Sequence, residues 1–323
     1  MTQLHPLRFE PIYRQYLWGG RRLATVLGKS LDSDANYAES WEAVDHGGDQ
    51  SRVIAGPMRG VTLHQLVCDF SREMLGRHTP RAQFPLLFKF LDAHQNLSVQ
   101  VHPNDLQAAK LEPPDLGKTE AWVVLHAEPG SLIYAGLNHG VNRALLENAV
   151  QRGDIESCLH RFAPTTGDCV LLPAGAVHAL GAGIMVAEIQ QASDATFRLF
   201  DWNRVDPEGK PRRLHLAQAL ETINYDLGPI SPCKAVVTVD PQVERLTACE
   251  KFVLDRWTFE GAKLLGGDER FHLVAVLEGQ LQVEGDPYDR PIEQGQTMLL
   301  PAACGPRQLQ ARHRTVLLDM YLP

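Results

Sequence analysis

Paired cysteines are missing from this sequence. The six present (Cys68, Cys158, Cys169, Cys233, Cys249 and Cys304) are scattered without a C-x-x-C, which argues against a zinc ribbon and against a disulfide framework. Positive charge is also in short supply. Against 39 Asp and Glu stand 31 Lys and Arg, a formal net charge of −8, so no basic face is offered to nucleic acid. No apolar run approaches the ~18 residues of a membrane span. Residues 1–11 hold charge and two prolines instead of the apolar stretch of a signal peptide. The expectation is a protein of the reducing cytoplasm, with no nucleic-acid and no membrane partner. What is there is an ordinary globular composition: 323 residues, 44% apolar and 22% charged. At about 150 residues per domain, that length predicts two domains. The unusual supply is histidine, at 13 residues.

Proline (21) and glycine (26) cut the chain into short segments. Between them, residues 97–101, 121–125, 169–172, 184–189 and 273–277 have strand length and are rich in Val, Leu and Ile, which predicts a β-rich sandwich or barrel. Helical signals are fewer. Thr62 can cap a segment carrying Leu63, Leu66, Val67, Phe70 and Met74, and Asn104 a short helix that ends before Pro113. Residues 142–160 read as one or two helices broken near Gly153, with Asp154 as a new cap; Leu214, Ala217, Leu220 and Ile223 mark another. The Gly-Pro-Ile-Ser-Pro stretch at 228–232 is the expected domain boundary. One pattern recurs: Gly167-Asp-Cys-Val-Leu-Leu-Pro173 and Gly295-Gln-Thr-Met-Leu-Leu-Pro301 both read as turn glycine, buried strand and terminating proline. This repeat predicts two related β-barrels in tandem.

Nucleotide and serine-hydrolase chemistry find no support. Gly117-Lys118-Thr119 lacks the upstream glycine of a P-loop, where Glu112 stands instead, and Gly181-Ala-Gly183 lacks the third glycine of a dinucleotide fingerprint. There is no G-x-S-x-G and no H-E-x-x-H. Three β segments do carry chemistry. In 97–102, alternation sets Leu97, Val99 and Val101 on one face and Ser98, Gln100 and His102 on the other. In 118–122, Lys118, Glu120 and Trp122 share a face; taken alone, such a Lys/Glu pair is usually a surface salt bridge. After Gly167, an apolar strand runs through Pro173-Ala-Gly175 and presents His178 at the end of an uncharged stretch. Together Gln100, His102, Glu120 and His178 offer an amide oxygen, two imidazoles and a carboxylate. That donor set suits Zn²⁺ in an open, catalytic type of site, while Mn, Fe and Co remain allowed.

The pattern Gly-x5-Pro-x-Gly-x2-His at 167–178 resembles the second motif of the cupin β-barrels. More specifically, the chain resembles the type I mannose-6-phosphate isomerase (phosphomannose isomerase) family in its short bacterial form. The matching stretches are Leu-Trp-Gly-Gly at 17–20, Glu-Ser-Trp-Glu at 39–42, Phe-Pro-Leu-Leu-Phe-Lys-Phe-Leu-Asp-Ala at 84–93 and Leu-Ser-Val-Gln-Val-His-Pro at 97–103. They continue with Gly-Lys-Thr-Glu-Ala-Trp at 117–122, Leu-Pro-Ala-Gly-Ala-Val-His-Ala-Leu at 172–180, Glu-Ile-Gln-Gln-Ala-Ser-Asp at 188–194 and Thr-Phe-Arg-Leu-Phe-Asp-Trp at 196–202.

The resemblance implies a mainly β fold of tandem cupin-type (jelly-roll) barrels with a few short helices. It implies a catalytic metal-binding domain at 1–227 and a degenerate, metal-free barrel at 228–323. It also implies one Zn²⁺ per chain on Gln100, His102, Glu120 and His178, Arg198 as the catalytic arginine, and Ser98, Lys118 and Glu188 lining the pocket of a sugar-phosphate substrate. The implied reaction interconverts mannose 6-phosphate and fructose 6-phosphate through an enediol, in a monomer or homodimer. Two features depart from the long-form members: Leu180 stands where they carry Tyr, and the chain has no room for their extra helical domain. In the second repeat the positions of Gly175 and His178 become Ala303 and Pro306, and His272 alone makes no ligand set. The competing readings are an Fe(II)-dependent cupin oxygenase and a non-catalytic sugar-binding cupin.

Overall fold

Apolar runs punctuated by glycine and proline fold as strands. The protein, a computed structural model describing residues 4–31, 34–205 and 208–323, is mainly β with a few short helices. Of the opening segment at 1–11, the first three residues lie outside those described. Two open sheets face each other in the N-terminal part. The first has six strands in the order Ile12–Arg14, Glu39–Ala43, Leu86–Ala93, Ile184–Gln191, Glu120–Ala127, Cys169–Leu172. The second has five: Phe197–Phe200, Val99–Val101, His178–Leu180, Ile133–Leu137, Leu159–Phe162. This is the jelly-roll architecture expected of a cupin.

Strand alternation decides what lies between the sheets. Leu91, Leu97, Trp122, Val124, Leu180 and Val186 form one buried apolar cluster in the gap. On the five-stranded sheet Val99, Val101, Ala179 and Leu199 pack outward under the helices Arg143–Arg152 and Leu216–Thr222. Leu97, expected on the face of Val99 and Val101, precedes the strand and turns into the gap instead. On the six-stranded sheet the outward residues Phe88, Phe90, Ala121, Val123 and Ile189 belong to a cluster shared with Phe271, Leu273, Leu318 and Met320 from the C-terminal part. The Phe84 and Phe271 rings meet there at 4.7 Å.

The C-terminal part is an eight-stranded sheet whose long strands Val253–Leu265 and Arg307–Tyr321 pair along most of their length. A register shift between Phe259 and Gly261 interrupts that pairing; such a bulge bends a strand and increases its twist. Its inner face holds a separate apolar cluster that includes Val274, Val276, Met298 and Leu317. The recurrent Gly-x5-Pro pattern is structural in both places. Gly167 and Gly295 take left-handed φ of 95° and 77°, and strands Cys169–Leu172 and Thr297–Leu300 follow.

Helix caps follow the expected chemistry. Thr62 and Asn104 each form a capping box, with Gln65 and Gln107. The Thr62 helix stops at Asp69, and Met74 belongs to the next one, Ser71–Leu75. In the 142–160 region, Asn142 caps Arg143–Arg152 and Gly153 ends it in the left-handed conformation. Here the expectation is corrected: Asp154 makes no side-chain cap, Ile155–Cys158 is a 3-10 turn, and Leu159–Phe162 is a strand. Buried Leu159 and half-buried Phe162 find their apolar surroundings by pairing with Ile133–Leu137 instead of continuing a helix.

Candidate metal centre

Two rows of side chains cross the gap between the facing sheets. On the five-stranded sheet Arg198 and His178 both pair with Gln100, so the three stand in one row on the inner face. On the six-stranded sheet Trp122 pairs with Glu188, Glu188 with Lys89, and Lys89 with Trp41. Glu120 lies two residues before Trp122 and therefore on the same face. His102 comes directly after its strand, where the Nδ1–H donates to the Ala195 carbonyl at 2.9 Å. His178 Nδ1–H donates to the Ala176 carbonyl at 3.0 Å.

Those two bonds fix the tautomers. With Nδ1 protonated, each neutral imidazole points the lone pair of Nε2 inward. His102 Nε2 lies 3.3 Å from Glu120 Oε2, and His178 Nε2 lies 3.2 Å from Glu120 Oε1. Burial, with the Lys118 ammonium beside it, pulls the His102 pKa down to about 3, and burial lowers that of His178 as well. Burial would raise the Glu120 carboxyl, but Lys118 and the two imidazoles hold it well below the usual range. Three acceptors therefore converge with no proton of their own between them, and buried Glu120 Oε1 has no hydrogen-bond donor. Lys118 and the Gln100 amide reach the other acceptors, so the one left unanswered is Glu120 Oε1, which faces His178 Nε2 at 3.2 Å. The donor set of two imidazole nitrogens and one carboxylate oxygen fits a divalent metal with open positions.

Gln100 completes the ring. Its amide nitrogen is 3.3 Å from His178 Nε2 and its oxygen accepts from Ser98 Oγ at 3.2 Å; a half-turn of the amide exchanges the two atoms. Lys118 Nζ donates to Glu120 Oε2 at 2.6 Å and to His102 at 3.0 Å. Arg198 Nε donates to Ser98 Oγ at 3.2 Å. Glu188 accepts from Trp122 Nε1 at 2.8 Å, and its Oε1 makes no hydrogen bond, although Lys89 Nζ lies 3.4 Å away. Burial and the nearby charge of Glu120 raise the pKa of Glu188, with Lys89 and Lys118 opposing them.

Ser98, Gln100, Lys118, Glu188 and Arg198 line one cavity of about 220 Å³. The structure thus brings all the residues singled out in the sequence into one place. The same cavity is lined by Glu39, Lys89, Asp194 and Arg212, which sequence reasoning passed over. Lys89 had a signal: it is the lone cation in the apolar run Leu86–Leu91 of a strand buried throughout. Leu180, the departure from the long-form pattern, is fully buried in the apolar cluster between the sheets.

Residues 7–140 match the family model "Phosphomannose isomerase type I, catalytic domain". Over 94% of its length the chain is 36% identical to mannose-6-phosphate isomerase ManA of Bacillus subtilis, covering 96% of that protein. It is 32% identical to the mannose-6-phosphate isomerase of Streptococcus mutans, covering 92% of each chain. Among solved structures, the mannose 6-phosphate isomerase of Bacillus subtilis superposes with a TM-score of 0.89 at 29% identity, over 98% of this chain and 99% of that one. Similarity over nearly the whole length of both sequences, on a shared fold, places this chain in the type I mannose-6-phosphate isomerase family.

Proposed function

We propose that this protein is a metal-dependent aldose–ketose isomerase that interconverts mannose 6-phosphate and fructose 6-phosphate through an enediol. One observation carries the reading: three unprotonated acceptors, on His102, Glu120 and His178, converge beside a buried carboxyl of raised pKa, Glu188. His102, Glu120 and His178, with Gln100 as fourth donor, hold one Zn²⁺ per chain, and Mn, Fe or Co fit the same donors. The bound metal supplies Lewis acidity toward the sugar oxygens at C1 and C2.

Glu188 is the base that takes the proton from C2 of the aldose and delivers it to C1. Burial and the charge of Glu120 disfavour its ionised form, which strengthens it as a base toward the C2 proton. Trp122 fixes one of its oxygens and leaves the other without a hydrogen bond. Arg198 keeps its charge at any working pH and stabilises the negative charge that develops on the enediolate. Ser98 orients that guanidinium, and Lys118 orients Glu120. In this reading residues 1–227 form the catalytic unit and residues 228–323 a metal-free barrel of structural role. The enzyme works in the cytoplasm as a monomer or homodimer, without nucleic-acid or membrane partners. Among the described residues, no helix is long and apolar enough to cross a membrane.

The test supplies mannose 6-phosphate to zinc-loaded protein and follows fructose 6-phosphate by NMR. Turnover without oxygen consumption is expected, and His102→Ala should lose both zinc and activity. Absence of turnover with zinc confirmed bound overturns the assignment. Oxygen uptake would favour the oxygenase reading.

A further inference from the structure

The charges around the cavity are sorted by type. Lys89 is ion-paired with Glu39 and Glu188, at 3.3 and 3.4 Å, and Lys118 with Glu120 and Glu188, at 2.6 and 3.8 Å. At this end two ammonium groups meet three carboxylates, so it carries no spare positive charge. The other end is built from arginine. Arg198 lies within 4 Å of no carboxylate among the described residues, and Arg212 reaches only Asp201, at 3.6 Å. Asp201 is already gripped by Arg204 through a short ion pair. Of the carboxylates lining the cavity, Asp194 is the one outside the lysine cluster, and it is exposed. Here three guanidiniums meet two carboxylates, and the excess is positive.

Arg212 is held in place by the strand it faces. The Arg198 guanidinium donates to the carbonyl of Arg213 at 3.3 Å, and His215 N–H donates to the carbonyl of Arg198 at 2.8 Å. Arg213 is exposed, whereas half-buried Arg212 lines the cavity. Arg212 also lines a second cavity of about 420 Å³ together with Tyr16, Trp18 and Arg204. The two cavities share Tyr16, Trp18 and Arg212, so Arg212 stands between them, at the end of the inner one. Tyr16 and Trp18 stack at 5.6 Å, forming an aromatic part of the wall they share with it.

A sugar phosphate is polar in the same sense as the cavity: a dianion at one end, uncharged hydroxyls and a carbonyl at the other. We infer that Arg212 is a specificity-determining residue: beyond Arg198, which stays with the reacting carbons, it binds the phosphoryl group at the outer end, so that C1 and C2 lie at the metal end. The inference rests on the isomerase reading and adds to it a residue and a direction of binding. A planar guanidinium suits this role because it presents paired N–H donors to phosphate oxygens.

The experiment compares wild type, Arg212→Gln and Arg212→Lys as zinc-loaded full-length protein. It measures kcat and KM for mannose 6-phosphate and for free mannose, and binding of inorganic phosphate by calorimetry. Loss of one or two charge-assisted hydrogen bonds corresponds to about 10- to 100-fold. For Arg212→Gln the expected result is a rise of that size in KM for mannose 6-phosphate, with kcat changed less than about threefold. The preference for mannose 6-phosphate over free mannose, as a ratio of kcat/KM, should fall by the same factor. Phosphate binding should weaken in parallel, with partial recovery in Arg212→Lys. A KM and a phosphate affinity within about twofold of wild type would overturn the inference, as would a fall in kcat alone. If wild type fails to isomerise mannose 6-phosphate, the isomerase reading falls, and phosphate binding to wild type against Arg212→Gln still decides whether Arg212 is an anion site.

Discussion

His272 occupies in the C-terminal sheet the place that Glu120 occupies in the first. Glu120 pairs with Leu172 at the end of one Gly-x5-Pro strand, and His272 pairs with Leu300 at the end of the other. The correspondence extends across the sheets: Trp122, Glu188 and Lys89 form one row, and Val274, Asp319 and Asp255 the matching one. In the second row the polar groups satisfy each other. His272 Nδ1 lies 2.9 Å from Asp319 and Nε2 lies 3.1 Å from Asp268, while Asp255 is held by Arg245 and by the Tyr321 hydroxyl at 2.8 Å. Burial alone would lower the His272 pKa, but Asp319 and Asp268 raise it to about 10. A histidine with a raised pKa stabilises the fold fully below its unfolded pKa of about 6.5 and loses that contribution as pH climbs toward 10. The stability margin of wild type over His272→Gln should therefore be largest near pH 6 and shrink steadily to pH 10. Thermal melts across that range check this, and a margin that is flat or grows with pH would contradict it.

The turn at Pro173–His178 shows how one element sets the centre. Gly175 has φ 87°; its N–H donates to the His102 carbonyl at 2.9 Å, and its own carbonyl accepts from Asn224 N–H at 2.9 Å. One glycine thus ties the segment bearing one histidine to the segment bearing the other. A Cβ there would meet Asn224 Cβ at 3.0 Å in a backbone conformation that side chains disfavour. Gly175→Ala should cost about 1–3 kcal/mol of stability and weaken zinc binding in a chelator competition; unchanged denaturation and zinc affinity would count against this role.

This element was readable in advance, because the apolar strand, the Pro-Ala-Gly turn and the histidine lie within a dozen residues. So was the parity that puts Ser98, Gln100 and His102 on one face. Glu39 and Arg212 were not, and Lys89 showed only as a lone cation in an apolar run. Sheet register (Lys89 opposite Glu188) or a loop folded back onto Arg198 brings them in. The stretch at 142–160 misled in the other direction. Its local pattern is helical on both sides of Gly153, and pairing with Ile133–Leu137 turned its last residues into a strand.

At the scale of the molecule, the apolar cluster that contains Phe84, Phe88 and Phe90 also contains Phe252, Phe271 and Met320. The N-terminal segment crosses as well, with Leu7 and Leu299 exchanging both backbone hydrogen bonds at 2.8 Å. A core with members from both parts couples their unfolding. Calorimetry should show one cooperative transition. Truncating fully buried Phe271 to Ala should lower stability by about 3–5 kcal/mol without splitting that transition. Two separate peaks would show that the parts melt independently.

The donors of the centre stand on opposing sheets, His178 and Gln100 on one and Glu120 on the other. The gap between them is held open by a layer of hydrocarbon that includes Leu91, Leu97, Val124, Leu180 and Val186. That layer acts as a spacer. Divalent ions differ in the metal–ligand distances they accept by tenths of an ångström, and packed interiors feel the loss of a single methylene. A metal held between the sheets would therefore meet a donor spacing set in part by aliphatic side chains that supply no donor atom.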